Sequence, residues 1–172
     1  MRSTVFALLS LTALLFSAPG QAASRFCPGF LADPNAPEPT HQGELTLSPY
    51  THHWTYNPEH KRVFLMALDE QLPGDRLCGI SVFSNSFGQP SGYVYAGQQF
   101  NRLFGQPALF AKVSAGILYG YVGHYQDKVP LNYRGFSPAV IPSMGYKFGE
   151  HDSVQLQVLG TAGVMLSFGR QF

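Results

Sequence analysis

Charge is scarce in this chain. Only 12% of its 172 residues are Asp, Glu, Lys or Arg, where a soluble domain carries about a quarter. The formal net charge is +1 and no long block of one sign occurs, which leaves nucleic-acid binding without support. Long apolar runs are also missing. The longest, residues 4–16, is a mostly apolar stretch of about 13 residues against the ~20 that a membrane-crossing helix needs. There are two cysteines and no metal-ligand spacing; His52 and His53 are adjacent and face opposite ways on a strand. No cofactor or metal is expected. No internal repeat or low-complexity tract is visible.

What is present points to a membrane reached by strands. Aromatics make up 14% and there are 18 glycines. Low charge with many aromatics and much glycine fits a transmembrane barrel, whose strands are apolar on one face only. Near the C-terminus Val164, Leu166 and Phe168 alternate with Met165, Ser167 and Gly169, and the chain ends on Phe172. Alternation of period two means a strand with one apolar face. A terminal aromatic strand of this kind suits insertion by a barrel-assembly machinery at the bacterial outer membrane. The N-terminus agrees: a basic start, a short apolar stretch and the small residues Ser17 to Ala23 read as a signal peptide over residues 1–22.

Residues 23–43 contain Pro28, Pro34, Pro37 and Pro39 and read as an extended periplasmic arm. Two cysteines in an exported chain favour one disulfide, Cys27–Cys78. Beyond the arm, residues 44–172 divide into eight strand-like segments: 44–56, 62–71, 77–84, 92–104, 108–123, 139–148, 153–159 and 164–172. Turn residues separate them, among them Asn57-Pro58, Pro73-Gly74-Asp75 and Gly105-Gln106-Pro107. An even count of eight closes the smallest outer-membrane barrel. The fold expected is therefore all-β, an eight-stranded antiparallel barrel. With its termini in the periplasm, Cys78 starts strand three beside the arm that carries Cys27.

Parity assigns side chains to lipid or lumen. In strand five Leu109, Ala111, Val113, Ala115, Ile117, Tyr119 and Tyr121 share an apolar face expected to meet lipid. The opposite face offers Lys112, Ser114, Gly116, Leu118, Gly120 and Val122 to the lumen. Strand four is assigned inward at Val94, Ala96 and Gln98, strand six at Ala139, Ile141, Ser143, Gly145 and Lys147. Strands seven and eight contribute Gln155, Gln157, Leu159, Met165 and Gln171. On this reading the periplasmic half of the lumen is polar. The outer half, lined by Val94, Ala96, Gly116, Leu118, Gly120, Val122, Ile141 and Met165, is an apolar pocket fit for an acyl chain. Ordinary packing of a small closed barrel would give a similar lining, and one bulge reverses a strand's faces.

Groups able to do chemistry cluster near the outer rim: His52 and His53 at the end of strand one, Ser84-Asn85-Ser86 at the end of strand three, and His124 and Asp127 after strand five. Histidine is the natural base near neutral pH and serine a common acyl-transfer group. His60 lies in the first loop without such a setting.

At these residues the chain resembles a known family, the lipid A palmitoyltransferases of the PagP type. Pro49 through Tyr56 resembles the family's segment of a proline, a short strand, its catalytic histidine and an aromatic-x-Tyr. Phe83-Ser84-Asn85-Ser86-Phe87 is similar to its Phe-Lys-Asp-Ser-Trp, and Ser114-Ala115-Gly116 to its Thr-Ala-Gly. Ile141-Pro142-Ser143-Met144-Gly145-Tyr146 resembles its proline-rich entry into strand six, and Arg170-Gln171-Phe172 its Arg-Phe-Gln-Phe terminus. The resemblance implies a barrel with an interior acyl-chain ruler and a rim site of His, Asp and Ser. Ser86 then takes the serine role and Asn85 stands where the family has Asp. The histidine is His52 by simple parity, or His53 if Pro49 introduces a bulge; parity favours His52. The resemblance further implies that Pro49, Pro138 and Pro142 weaken pairing near the rim and admit lipids sideways.

The function expected is transfer of a palmitoyl chain from a phospholipid donor to a hydroxyl of lipid A, by a monomer among outer-membrane lipids. Two alternatives stand beside it. A lipid A deacylase also uses His and Ser in a small barrel, but Phe83 stands where its His-x-Ser-Asn pattern has histidine. A non-catalytic barrel would bind lipid, anchor, or form a narrow pore.

Overall fold

A computed structural model describes residues 26–172; the expected signal peptide lies outside the described residues. Eight strands follow one another: β1 Gly43–His53, β2 Leu65–Leu72, β3 Arg76–Ser84, β4 Pro90–Asn101, β5 Leu109–Tyr119, β6 Phe136–Phe148, β7 Asp152–Val158 and β8 Gly163–Gln171. Each pairs antiparallel with its sequence neighbours, and β1 pairs with β8, so the sheet closes into a barrel. Closure pairs both edges of the sheet along most of their length. An even number of strands puts both termini at one mouth, while the 54–64, 85–89, 120–135 and 159–162 loops gather at the other, here called the far mouth.

The outer wall follows from period two. Leu47, Met66, Ile80, Val82, Ile117, Val140, Met144 and Leu156 all point outward and stay exposed. Aromatics rim this apolar band at both ends: Tyr50, Trp54, Phe64, Tyr119 and Phe136 near the far mouth, Phe100, Tyr146, Phe148 and Phe172 near the termini. An apolar band between two aromatic girdles is the surface of a barrel that spans a membrane.

The lumen near the termini is filled by an ionic network. Lys112 Nζ on β5 lies 2.6 Å from Glu44 and 3.7 Å from Asp69. Glu44 and Asp69 are direct cross-strand partners on β1 and β2. Glu44 also accepts from Gln155 and Gln171, each at 3.2 Å, and Tyr95 donates to Asp69. Gly79 makes room for this: a side chain there would strike both Asp69 and the Tyr95 ring. Lys112, Glu44 and Asp69 are all buried. Charges survive in such a place only when paired and hydrogen-bonded.

The arm runs outside the barrel before it reaches the mouth. The disulfide Cys27–Cys78 has its Cα atoms 5.8 Å apart, inside the usual range for an unforced bridge. Cys78 pairs with Glu70 and Ala96 on the outward face of β2–β4. Glu70 accepts the backbone N–H groups of Phe26 and Cys27, and Leu31 and Ala32 pack on the same wall. The segment 36–41 then turns beneath the termini-side mouth, against Gln71, Gln99 and Lys147.

Two stretches of the wall are under-paired. The β1–β8 register breaks between Leu47 and Tyr50, at Ser48-Pro49. On β6 the ladder to β7 covers only Ser143–Phe148, so residues 136–142 are laddered to β5 alone. The Lys147 N–H bonds Ala108 on the β5 side. Bonding direction alternates along an antiparallel strand, and the β5–β6 register is unbroken. Even positions of β6 therefore aim at β7, and two of them, Pro138 and Pro142, have no N–H to offer.

Candidate functional site

The bulge at Ser48-Pro49 decides which histidine faces the lumen. Before it Glu44 and Thr46 point in and are buried. After it the extra residue shifts the alternation, so Thr51 and His53 point in and Tyr50 and His52 point out. Ser48 fixes the bulge by donating to the Leu166 carbonyl at 2.6 Å. His52, favoured by simple parity, is exposed on the outer wall with its ring 5.8 Å from that of Trp54. His53 Nε2 lies 2.7 Å from Ser86 Oγ.

Ser86 sits in the turn between β3 and β4. Asn85 shapes that turn. Its side-chain oxygen accepts the N–H groups of Phe87 and Gln89 at 3.0 Å each, and its amide donates to Gln89 Oε1. Gln89 in turn donates to the Val122 carbonyl. Asn85 is thus engaged in its own loop, away from the imidazole. The Ser86 carbonyl accepts from the Lys61 N–H at 2.8 Å, which ties the first loop to the same point.

Four ring side chains complete the surroundings. The His60 ring lies 4.1 Å from that of His53, tilted by 32°. Phe87 meets His60 edge-on at 5.5 Å and stacks on Tyr125 at 4.3 Å. Tyr121 lines the cavity with Ser86, and burial pushes its titration above the ordinary phenol value. His60, expected to lie in the first loop without such a setting, stands against His53, and Tyr121, expected to meet lipid, lines the cavity instead. β5 ends at Tyr119, and Gly120 and Tyr121 take positive φ values of 145° and 55°, which break the alternation and bring Tyr121 inward. His124 and Asp127 stay on an exposed 3₁₀ turn, against Tyr125 and Lys128.

Beneath this cluster lies a cavity of about 320 Å³, within the range of small-ligand sites. Ser86, Tyr121 and Lys128 stand among its lining residues at the far mouth; Leu65, Ala67, Phe83, Leu118, Ile141 and Met165 give it apolar walls. It ends on the Lys112, Asp69 and Tyr95 network, with Gln155 and Gln157 beside it. Pro138, Ala139 and Val140 line it where β6 lacks its ladder to β7.

Of the expected pocket residues, Leu118, Ile141 and Met165 line the cavity. The rest require correction. β4 has the opposite parity: Val94 is 60% exposed on the outer wall, Ala96 packs against the arm, and Gln98 bonds the Gly74 carbonyl at the β2–β3 turn. The inward residues of β4 are Tyr93 and Tyr95, with rings stacked at 4.7 Å. Gly116 has inward parity but is closed off by the backbone of Val94 and Tyr95. Gly120 packs on Ser91, and Val122 is exposed beyond the end of β5. The charged floor, Glu44 and Asp69, was missed although alternation in Glu44-Leu45-Thr46-Leu47 and Met66-Ala67-Leu68-Asp69 carries it.

No family model matches this chain, and no curated protein matches it. Among solved structures it is similar to a chain described as "De novo design of transmembrane beta-barrels", with a TM-score of 0.58, 10% identity, and coverage of 78% of this chain and 99% of that one. At that identity the likeness shows the fold alone: this is a small eight-stranded barrel of the transmembrane type.

Proposed function

We propose that the protein is an acyltransferase of the bacterial outer membrane, in the manner of the PagP-type lipid A palmitoyltransferases that its motifs resemble. It moves a palmitoyl chain from a phospholipid to a hydroxyl of lipid A. The observation that carries this reading is the contact of His53 Nε2 with Ser86 Oγ at 2.7 Å, at the mouth of an apolar cavity. A base within hydrogen-bond reach of a hydroxyl is the arrangement of nucleophilic acyl transfer. His53 takes the Ser86 proton as Oγ attacks the donor ester. The lysophospholipid leaves with that proton, and the lipid A hydroxyl then takes the acyl group by the same steps reversed. The acyl tail lies in the cavity, where each buried methylene contributes about 0.8 kcal/mol. The under-paired stretches at Pro49 and at Pro138 and Pro142 support sideways entry of the tail from the bilayer. No cofactor takes part.

An apolar cavity alone would equally serve a lipid-binding barrel, and water in place of the acceptor would make a deacylase. Mass spectrometry of lipid A from cells with and without the protein separates the three. Transfer gives a species heavier by one palmitoyl group. It is abolished by His53→Ala and by Ser86→Ala with the barrel still folded, and kept in His52→Ala. A lighter species means deacylation. Unchanged lipid A with abundant folded barrel refutes both enzymatic readings.

A further inference from the structure

We propose that Tyr121 is a catalytic member of the His53–Ser86 site, its phenol O–H donating to the carbonyl oxygen of the ester that Ser86 attacks. This rests on the acyl-transfer reading above and names a residue that the motif resemblance does not supply.

Three observations converge on it. The first is backbone. Alternation along β5 sends Val113, Ile117 and Tyr119 outward, and a continued strand would send residue 121 the same way. Instead the strand stops, and Tyr121 adopts φ 55°. A bulky side chain in the left-handed region is uncommon and persists only where its surroundings hold it there. Here the result is a ring turned into the cavity, edge-on to Phe87 at 6.1 Å. The second is placement. Tyr121 and Ser86 line the same cavity, near enough for Ser86 to weigh on the titration of the phenol, and Ser86 Oγ meets His53 Nε2. The carbonyl oxygen of an ester under attack lies one bond from the carbon that Oγ approaches, so a phenol beside Ser86 in the same cavity is placed to reach it. The third is the need for a donor. The Asn85 amide is engaged by Gln89, and Lys128 pairs with Asp127 on an exposed turn. A buried phenol holds its proton through the neutral range and so remains a donor whatever the state of His53.

The chemistry balances without further reagents. Ser86 Oγ bonds to the acyl carbon as its proton passes to His53. The carbonyl π pair moves onto oxygen, where the Tyr121 hydroxyl hydrogen-bonds it. The pair returns, the bond to the glycerol oxygen breaks, and that oxygen leaves with the proton from His53. Tyr121 keeps its own proton throughout. This is stabilisation of developing charge by a fixed donor.

The test uses mature protein in vesicles of phosphatidylcholine with lipid A, following transfer of an isotope-labelled palmitoyl chain. Tyr121→Phe keeps the ring and removes only the hydroxyl. The expected result is a fall in kcat on the order of 10²-fold, with KM for the donor within about threefold of the parent. The shape of the pH–rate profile should be unchanged, because His53 still sets it. A Tyr121→Phe protein with kcat within about threefold of the parent overturns the proposal. So does a variant in which KM rises and kcat does not, which is the mark of a packing role. A parent protein inert in the same vesicles overturns the transferase reading itself, an outcome separate from either of these.

Discussion

Lys112→Met should cost this barrel more than any single change at its rim. Lys112 contacts two carboxylates, at 2.6 Å from Glu44 and 3.7 Å from Asp69. Glu44 and Asp69 face each other directly across β1 and β2, an arrangement that is destabilising for like charges. Methionine has nearly the volume of lysine's stem, so the substitution removes charge and leaves little void. Glu44 keeps Gln155 and Gln171, and Asp69 keeps Tyr95, but no countercharge remains. Breaking a buried pair in this way costs about 3–5 kcal/mol. The single tryptophan, Trp54, is 54% exposed on the outer wall and reports on lipid contact, so urea titration of vesicle-inserted protein by its fluorescence measures the loss. At a slope of about 1–3 kcal/mol per molar urea, the midpoint should fall by roughly 1 M or more. Adding Glu44→Gln should return part of the loss, since the pair acts as a unit. A Lys112→Met change below about 1 kcal/mol would refute the view that this network closes the lumen.

Two further expectations follow from the arm and from the cavity. Cys27→Ser with Cys78→Ser opens a bridge of sequence separation 51, worth about 4 kcal/mol in the chain-entropy model; limited proteolysis should then cut within the arm while β1–β8 stay protected, and an arm as resistant as before would show that the Glu70 contacts suffice. Ala67→Leu places about three carbons on the wall of the cavity close to its charged floor, where each displaced methylene is worth about 0.8 kcal/mol; donor competition should shift toward shorter acyl chains, and an unchanged preference would mean that the tail does not reach this depth.

The fold was legible because alternation is a one-dimensional signal. Val154, Leu156 and Val158 against Gln155 and Gln157, or Val113 and Ile117 against Lys112 and Ser114, identify strands and faces without knowledge of the partners. The site was less legible because its residues lie where alternation breaks. The bulge at Ser48-Pro49 moves the inward position from His52 to His53, and only the β8 register reveals it. β4 carries aromatics on one face and Val94, Ala96 and Gln98 on the other; a barrel turns either toward lipid, so hydropathy alone chose wrongly. Tyr121 turns inward through a left-handed backbone that sequence gives no reason to expect of tyrosine. His60 reaches His53 from a loop whose path local pattern does not encode.

The departures at His53, His60 and Tyr121 share one end of the molecule, and the division has a physical basis. Toward the termini, β1 and β2 are in continuous register, the lumen is filled by Lys112 and its partners, and the arm is bridged to the wall. Toward the far mouth the β6–β7 ladder stops at Ser143, β1 bulges, and residue 121 is strained. Strained and under-paired backbone is stable only when the rest of the structure holds it. A closed barrel stabilised at one end can therefore carry an opened rim at the other. Reversing the arrangement would set charged side chains where the proposed acyl tail enters and an apolar cavity where the strands most need cross-lumen contacts. Restoring donors with Pro138→Ala and Pro142→Ala should then raise stability and slow lipid exchange into the cavity together; a gain in one without the other would separate the under-paired wall from the entry path.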